Sequence, residues 1–153
     1  MQPADSLAIA VDDTSWRADP GAVAALVEGR HGDPFALLGL HGGYGRPLVV
    51  RTFQPGARAV RVMDGRRHPM RKRVECGVWE IFLPDVGPGA LYKFELLGPS
   101  GEVLPLKADP LAFACERPPA TASVVHGLVE HRFRDEAWLR QRQAGDPRAK
   151  PMT

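Results

Sequence analysis

Residues 78–97 read VWEIFLPDVGPGALYKFELL, two short alternating runs flanking a centre rich in proline and glycine. In the first run Val78, Glu80 and Phe82 alternate with Trp79, Ile81 and Leu83. In the second, Tyr92, Phe94 and Leu96 alternate with Lys93 and Glu95. A period of two sends successive side chains to opposite faces of a strand, so both runs predict β-structure, the second with one wet face. Between them PDVGPG reads as a turn, and no helical crossover lies there, so the layout reads as antiparallel rather than as a parallel sheet.

The same pattern extends outward. LVVRTFQ (48–54), AVRVM (59–63) and TASVV (121–125) are further β-type runs, and QPGA, MDG and GPSG punctuate the series. Short strands with turn signals every 8 to 12 residues or so predict an all-β fold, a single immunoglobulin-like antiparallel β-sandwich. The 16 glycines and 15 prolines suit a chain of many turns. Helical signals stand only at the two ends. Asp19 and Pro20 form an N-cap and first turn ahead of GAVAALVEGRH, with Val23, Leu26 and Val27 at helical spacing and Gly29 or Gly32 as the stop. Asp135 can cap EAWLRQRQA before Gly145. The expected division is a flexible arm over 1–18, an N-terminal helix and lead-in over 19–45, the sandwich over 46–126, and a linker helix with its tail over 127–153.

Composition limits function. The 153 residues carry 20 Lys and Arg against 18 Asp and Glu, a net charge of +2 that argues for neither nucleic acid nor an anionic membrane. Locally the balance breaks: RVMDGRRHPMRKRV (61–74) gathers Arg61, Arg66, Arg67, His68, Arg71, Lys72 and Arg73. With Asp64-Gly65 as a turn, these cations are expected on an exposed hairpin or sheet edge, where charge also blocks edge-to-edge aggregation. No aromatic residue is interleaved between Val60 and Gly77 for base stacking, so a small basic nucleic-acid binder is the alternative rather than the first reading. Cys76 and Cys115 lie far apart without zinc or Cys-x-x-Cys spacing, which points to reduced thiols and a cytoplasmic protein, a structural disulfide being the other option. The amino terminus has no cationic region before its brief apolar run LAIAV, and no stretch approaches the roughly 18 apolar residues of a membrane span.

Catalytic and metal chemistry find little footing. Asp33, Asp64, Asp109 and Asp135 stand beside Pro or Gly or at a helix start, as turn and cap residues do. His31, His41, His68, His126 and His131 have no metal-ligand spacing. HGGYG (41–45) lacks the following Lys and helix of a phosphate loop and reads as a hairpin turn. No catalytic residue, metal or cofactor is expected.

DGRRHPM (64–70), followed by GVWEIFLPDVGPGALYKFELLGPSGEVLPLKADPLAFACERPPATASVV (77–125), resembles the carbohydrate-binding module of family 48, the isoamylase N-terminal type, that precedes the catalytic barrel in bacterial glycogen branching enzymes. Upstream, HGDPFALLGLHGG and VVRTFQPGARAVRVMD are similar to the sandwich module that often stands first in the same enzymes. Downstream, HRFRDEAWLRQR and AKPMT resemble the linker helix and the residues before the first barrel strand. The chain thus looks like the front of one module joined near Val62–Gly65 to the back of another; their shared topology predicts one sandwich. The resemblance implies a non-catalytic α-glucan-associated module of a branching enzyme in glycogen biosynthesis, with a catalytic barrel domain or chain as a further partner. It also implies that Lys93, in YKFELL, is a rim residue reaching sugar hydroxyls. Trp79 and Tyr92 are the nearest aromatic platforms, although a Trp on a central strand also suits the core. Two family features are absent: the Asn-x-Trp segment before Asp64, and an aromatic residue where Leu106 stands. The alternative is an interaction module that docks without binding sugar.

Overall fold

The computed structural model describes residues 15–43, 46–73, 76–126 and 134–144. Residues 1–14 of the arm, the tip of HGGYG, His131 and the tail from 145 lie outside the described residues.

Among the described residues, eight strands form two antiparallel sheets: β1 (Gly39–Gly43), β2 (Arg46–Phe53), β3 (Ala59–Met63), β4 (Arg67–Pro69), β5 (Arg71–Arg73), β6 (Val78–Leu83), β7 (Leu91–Leu97) and β8 (Ser123–Val124). Sheet one has the order β1-β2-β6-β5, and sheet two β4-β3-β7-β8. The sandwich therefore starts before residue 46, because β1, from the expected lead-in, pairs along β2 with Leu40 opposite Val50. On either side of residues 44–45, Gly43 pairs with Arg46.

Between the sheets lies the core expected from the alternation. Leu48, Val50, Trp79 and Leu83 from sheet one meet Val60, Val62, Tyr92, Phe94 and Leu96 from sheet two. In β6 the other set, Val78 and Glu80, is buried too. Sheet one carries a second layer on its outer face, where Val78 packs with Ala18, Val23, Leu37 and Leu38. That layer rests on α1 (Pro20–Val27), whose first turn is closed by Asp19 accepting a hydrogen bond from the Ala22 amide at 2.9 Å. Gly29, at φ +69°, supplies the left-handed residue that ends it.

The basic stretch is folded as a bridge between the sheets. From β3 it turns at Asp64-Gly65, with Gly65 at φ +96°, and runs back as β4 along the edge of sheet two. At buried Met70, whose amide donates to the Val60 carbonyl at 2.9 Å, it crosses to become β5, the edge of sheet one. Arg66, Arg67, Arg71 and Lys72 are exposed along these two edges, as a charged edge requires.

Two local expectations need correction. The wet face of β7 is only half wet: Lys93 is partly exposed but Glu95 is buried. The antiparallel register places Arg61 opposite Glu95, and their side chains meet at 2.5 Å while Arg67 reaches the other carboxylate oxygen at 3.6 Å. Asp135 precedes α2 (Glu136–Gln143) but makes no side-chain cap bond, and no residue of that helix is buried.

Candidate functional site

β7 is the spine of the site. Its inward residue Tyr92 enters the core, and its outward neighbour Lys93 reaches a shallow cleft of about 480 Å³. One wall is the β3–β4 turn, Met63 to Gly65, which the register sets beside Lys93 through the Met63–Lys93 pair. The other wall comes from Leu106 and Ala122, and exposed Leu91 stands on the strand itself. The Lys93 ammonium donates to Thr121 Oγ1 at 2.9 Å. A cation on a flexible stem beside apolar walls can meet hydroxyls while aliphatic surface covers C–H groups.

Asp64 holds the turn. Its Oδ1 accepts from the Arg66 amide at 3.1 Å and from His68 Nε2 at 2.8 Å. Partial burial pushes its pKa up, but the His68 and Arg66 hydrogen bonds and charges outweigh that and hold it below the ordinary carboxylate value.

Behind the cleft, Tyr92 donates to Asp109 Oδ2 at 2.8 Å, the Asp109 amide donates to Ser123 Oγ at 2.8 Å, and Asp109 Oδ1 takes the Leu111 amide at 2.9 Å. All three side chains are buried. Burial raises the Asp109 pKa against these hydrogen bonds, and burial together with the Asp109 charge drives the Tyr92 phenol far above its ordinary value.

The three residues singled out by sequence are not brought to one open surface. Lys93 and Tyr92 both line the cleft, Tyr92 with only 2 % of its surface exposed, while Trp79, 5 % exposed, lies away from it. Trp79 lies in the core with its indole N–H on the Gln54 carbonyl at 3.1 Å, and the Tyr92 ring packs edge-on to Phe94 with centroids 6.0 Å apart. Neither offers an open ring face, because the inward-facing positions of β6 and β7 are the ones the opposite sheet covers. Sequence reasoning missed Thr121, which carries no local signal, and saw Asp64 only as a turn residue.

The opposite sheet carries a polar knot of another kind. Glu80, 1 % exposed, lies between Arg51 Nε at 3.6 Å and Arg73 Nη1 at 3.3 Å and accepts the Ala18 amide at 3.1 Å. Arg73 also donates to the Ala18 carbonyl and Arg51 to that of Trp16. The knot ties residues 16–18 across sheet one. Cys76 and Cys115 are free thiols, and among the described residues no group of three His, Cys, Asp or Glu side chains is placed to hold a metal. No helix among the described residues is long and apolar enough to cross a membrane.

Residues 19–110 match the family model of the alpha-1,4-glucan branching enzyme GlgB, N-terminal domain. The chain belongs to this family. The range of the GlgB N-terminal match includes Val62–Gly65, where the resemblance had changed from one module to another. A 1,4-alpha-glucan branching enzyme GlgB of Cereibacter sphaeroides is 51 % identical over 139 residues, covering 84 % of this chain and 19 % of that protein. One of Pseudomonas aeruginosa is 54 % identical over 90 residues, covering 59 % of this chain and 12 % of that protein. The chain thus spans about a fifth or less of the length of these curated relatives. Among solved structures, a putative alpha amylase from Salmonella typhimurium superposes with a TM-score of 0.53 at 22 % identity, over 66 % of this chain and 16 % of that one. That likeness shows the sandwich fold of this GlgB N-terminal chain and no more.

Proposed function

We propose that this chain acts as a non-catalytic, α-glucan-associated module of a 1,4-alpha-glucan branching enzyme, cytoplasmic and serving glycogen biosynthesis, with sugar held in the Lys93 cleft. The family match over residues 19–110 carries the reading, and the part-exposed Lys93 beside Thr121 supplies the polar group it needs. In this reading the sandwich is of the carbohydrate-binding family 48 type, and Lys93 is the sugar-binding residue. Without an exposed ring at the cleft, affinity is weak, about millimolar. The test is affinity electrophoresis in glycogen-loaded gels at low and high salt. Retardation of the wild type that changes little with salt and falls in Lys93→Ala supports the reading, because a neutral ligand releases no counterions. Retardation that survives Lys93→Ala removes Lys93 from the site.

A second reading is favoured by a separate observation. Phe35 and Phe113, 49 % and 47 % exposed, stack at 6.1 Å on the surface, an apolar pair suited to a protein contact. In this reading the module docks on a catalytic barrel domain or chain without holding sugar, and wild-type migration is then identical in gels with and without glycogen.

A further inference from the structure

We infer that the buried node of Tyr92, Asp109 and Ser123 is the positioning device of the Lys93 cleft and thereby sets its hold on glucan; the inference rests on the glucan reading of that cleft. The argument begins with the edge of β7. Two separate segments share this edge: Lys107 exchanges both backbone hydrogen bonds with Phe94, at 2.7 and 2.9 Å, and β8 pairs through Ser123 opposite Tyr92. Between these pairings the chain makes an irregular excursion whose returning end is bonded to Ala114–Glu116, through the Val124 amide to the Ala114 carbonyl and the Glu116 amide to the Ala122 carbonyl at 2.9 Å each, but no backbone bond among the described residues ties the outgoing end at Lys107–Asp109 to Ser123.

The side chains supply that tie. Asp109 is two residues from Lys107, and its carboxylate is held by Tyr92 while its amide is held by Ser123. One buried residue thus joins the outgoing segment, the returning segment and the strand. The far wall of the cleft is attached to the same points: Leu106 lies three residues before Asp109, and Thr121 and Ala122 immediately precede Ser123. Tyr92 is also the chain neighbour of Lys93, so the hydroxyl that fixes the wall and the ammonium that reaches Thr121 leave consecutive residues on opposite faces of β7. A buried, fully engaged polar group specifies geometry more sharply than an apolar contact, because any shift leaves it unpaired at a cost. Beyond the backbone bonds of its neighbour Lys107, little packing holds the Leu106 side chain in place, since it is 49 % exposed.

The test is a double-mutant cycle read by affinity electrophoresis in glycogen gels. Tyr92→Phe keeps the ring and its packing and removes only the hydroxyl, so retention is expected to fall about fivefold, the size of one lost hydrogen bond. In the Lys93→Ala background the same change is expected to add less than about twofold, since both act through one contact. Val50→Ala, a cavity in the same core on the other sheet, is the control for general weakening: it lowers the melting temperature and leaves retention unchanged. Amide NMR shifts supply a readout independent of sugar, and Tyr92→Phe is expected to move Leu106, Thr121 and Ala122. Should Tyr92→Phe fold poorly, Asp109→Asn, nearly isosteric, takes its place in the cycle.

Full retention in Tyr92→Phe, losses that multiply with Lys93→Ala, or an equal loss in Val50→Ala overturns the inference. Wall amides that shift in Tyr92→Phe, when no glycogen gel retards even the wild type, leave the positioning standing and overturn the glucan reading beneath it. Unmoved wall amides overturn the positioning itself.

Discussion

Phe94 concentrates the core in one side chain: 0 % exposed, edge-to-face with Tyr92, and opposite Val62 in the register of β3 and β7. Phe94→Ala is expected to cost about 3 to 5 kcal/mol in urea unfolding. A loss below about 1 kcal/mol would contradict a single core between the sheets. Two acids titrate with opposite consequences for stability. The folded pKa of Asp64 lies below its ordinary 3.8, so its contribution is complete above that value and is lost as pH falls through the folded pKa. Asp109 has its pKa raised, so the folded state holds the proton more tightly than the unfolded chain, and stability falls as pH rises from 3.8 through the raised value. Unfolding free energies measured from about pH 3 to about pH 7 are expected to lose the acid-side decline in Asp64→Asn and the decline above 3.8 in Asp109→Asn. At this scale the sequence was a partial guide. Lys93 stands out in YKFELL and does reach a cleft, but Trp79, Tyr92 and Glu95 carry the same alternating pattern and are buried, since the pattern divides faces without naming what lies against each.

Strands and caps were more legible, because their causes lie within a few residues. Asp19 before Pro20 and the Asp64-Gly65 turn form where the local residues prescribe them, by hydrogen bonds spanning two or three positions. Asp135 shows the limit: the cap residue is present, yet its helix of 8 residues buries nothing and the cap bond is not made. The Glu80 knot was not legible at all. Arg51 and Glu80 are 29 positions apart in sequence and become cross-strand partners only through the register of β2 and β6. Removing the carboxylate leaves two arginines without their partner, so Glu80→Ala is expected to cost about 3 to 5 kcal/mol. Hydrogen exchange at the Ala18 amide is expected to accelerate with it, because that amide loses its acceptor; unchanged exchange would show that the strap is held by packing alone.

At the scale of the whole molecule, the buried carboxylates among the described residues are already engaged. Glu80 is matched by Arg51 and Arg73, Glu95 by Arg61 and Arg67, and Asp109 by Tyr92. Glucan transfer needs a nucleophilic carboxylate and a general acid flanking the bond about 5 Å apart. Amylose incubated with the purified chain is therefore expected to keep its iodine-staining spectrum, and branching at a rate proportional to protein would reveal an overlooked site. What the sequence by itself determined is five of the eight described strands, β2, β3, β6, β7 and β8, with the turns beside them, the two terminal helices and the placement of most of the clustered cations on edges, each governed by side-chain period, backbone dihedrals or a cap within a few residues. Only the tertiary structure decided that the chain crosses between sheets at Met70, that outward Glu95 is covered while Lys93 is not, and that Met63, Leu106 and Thr121 converge around Lys93. The reason is physical: whether a face is wet depends on what packs against it, and the packing partners here come from distant positions whose pairing no local preference encodes.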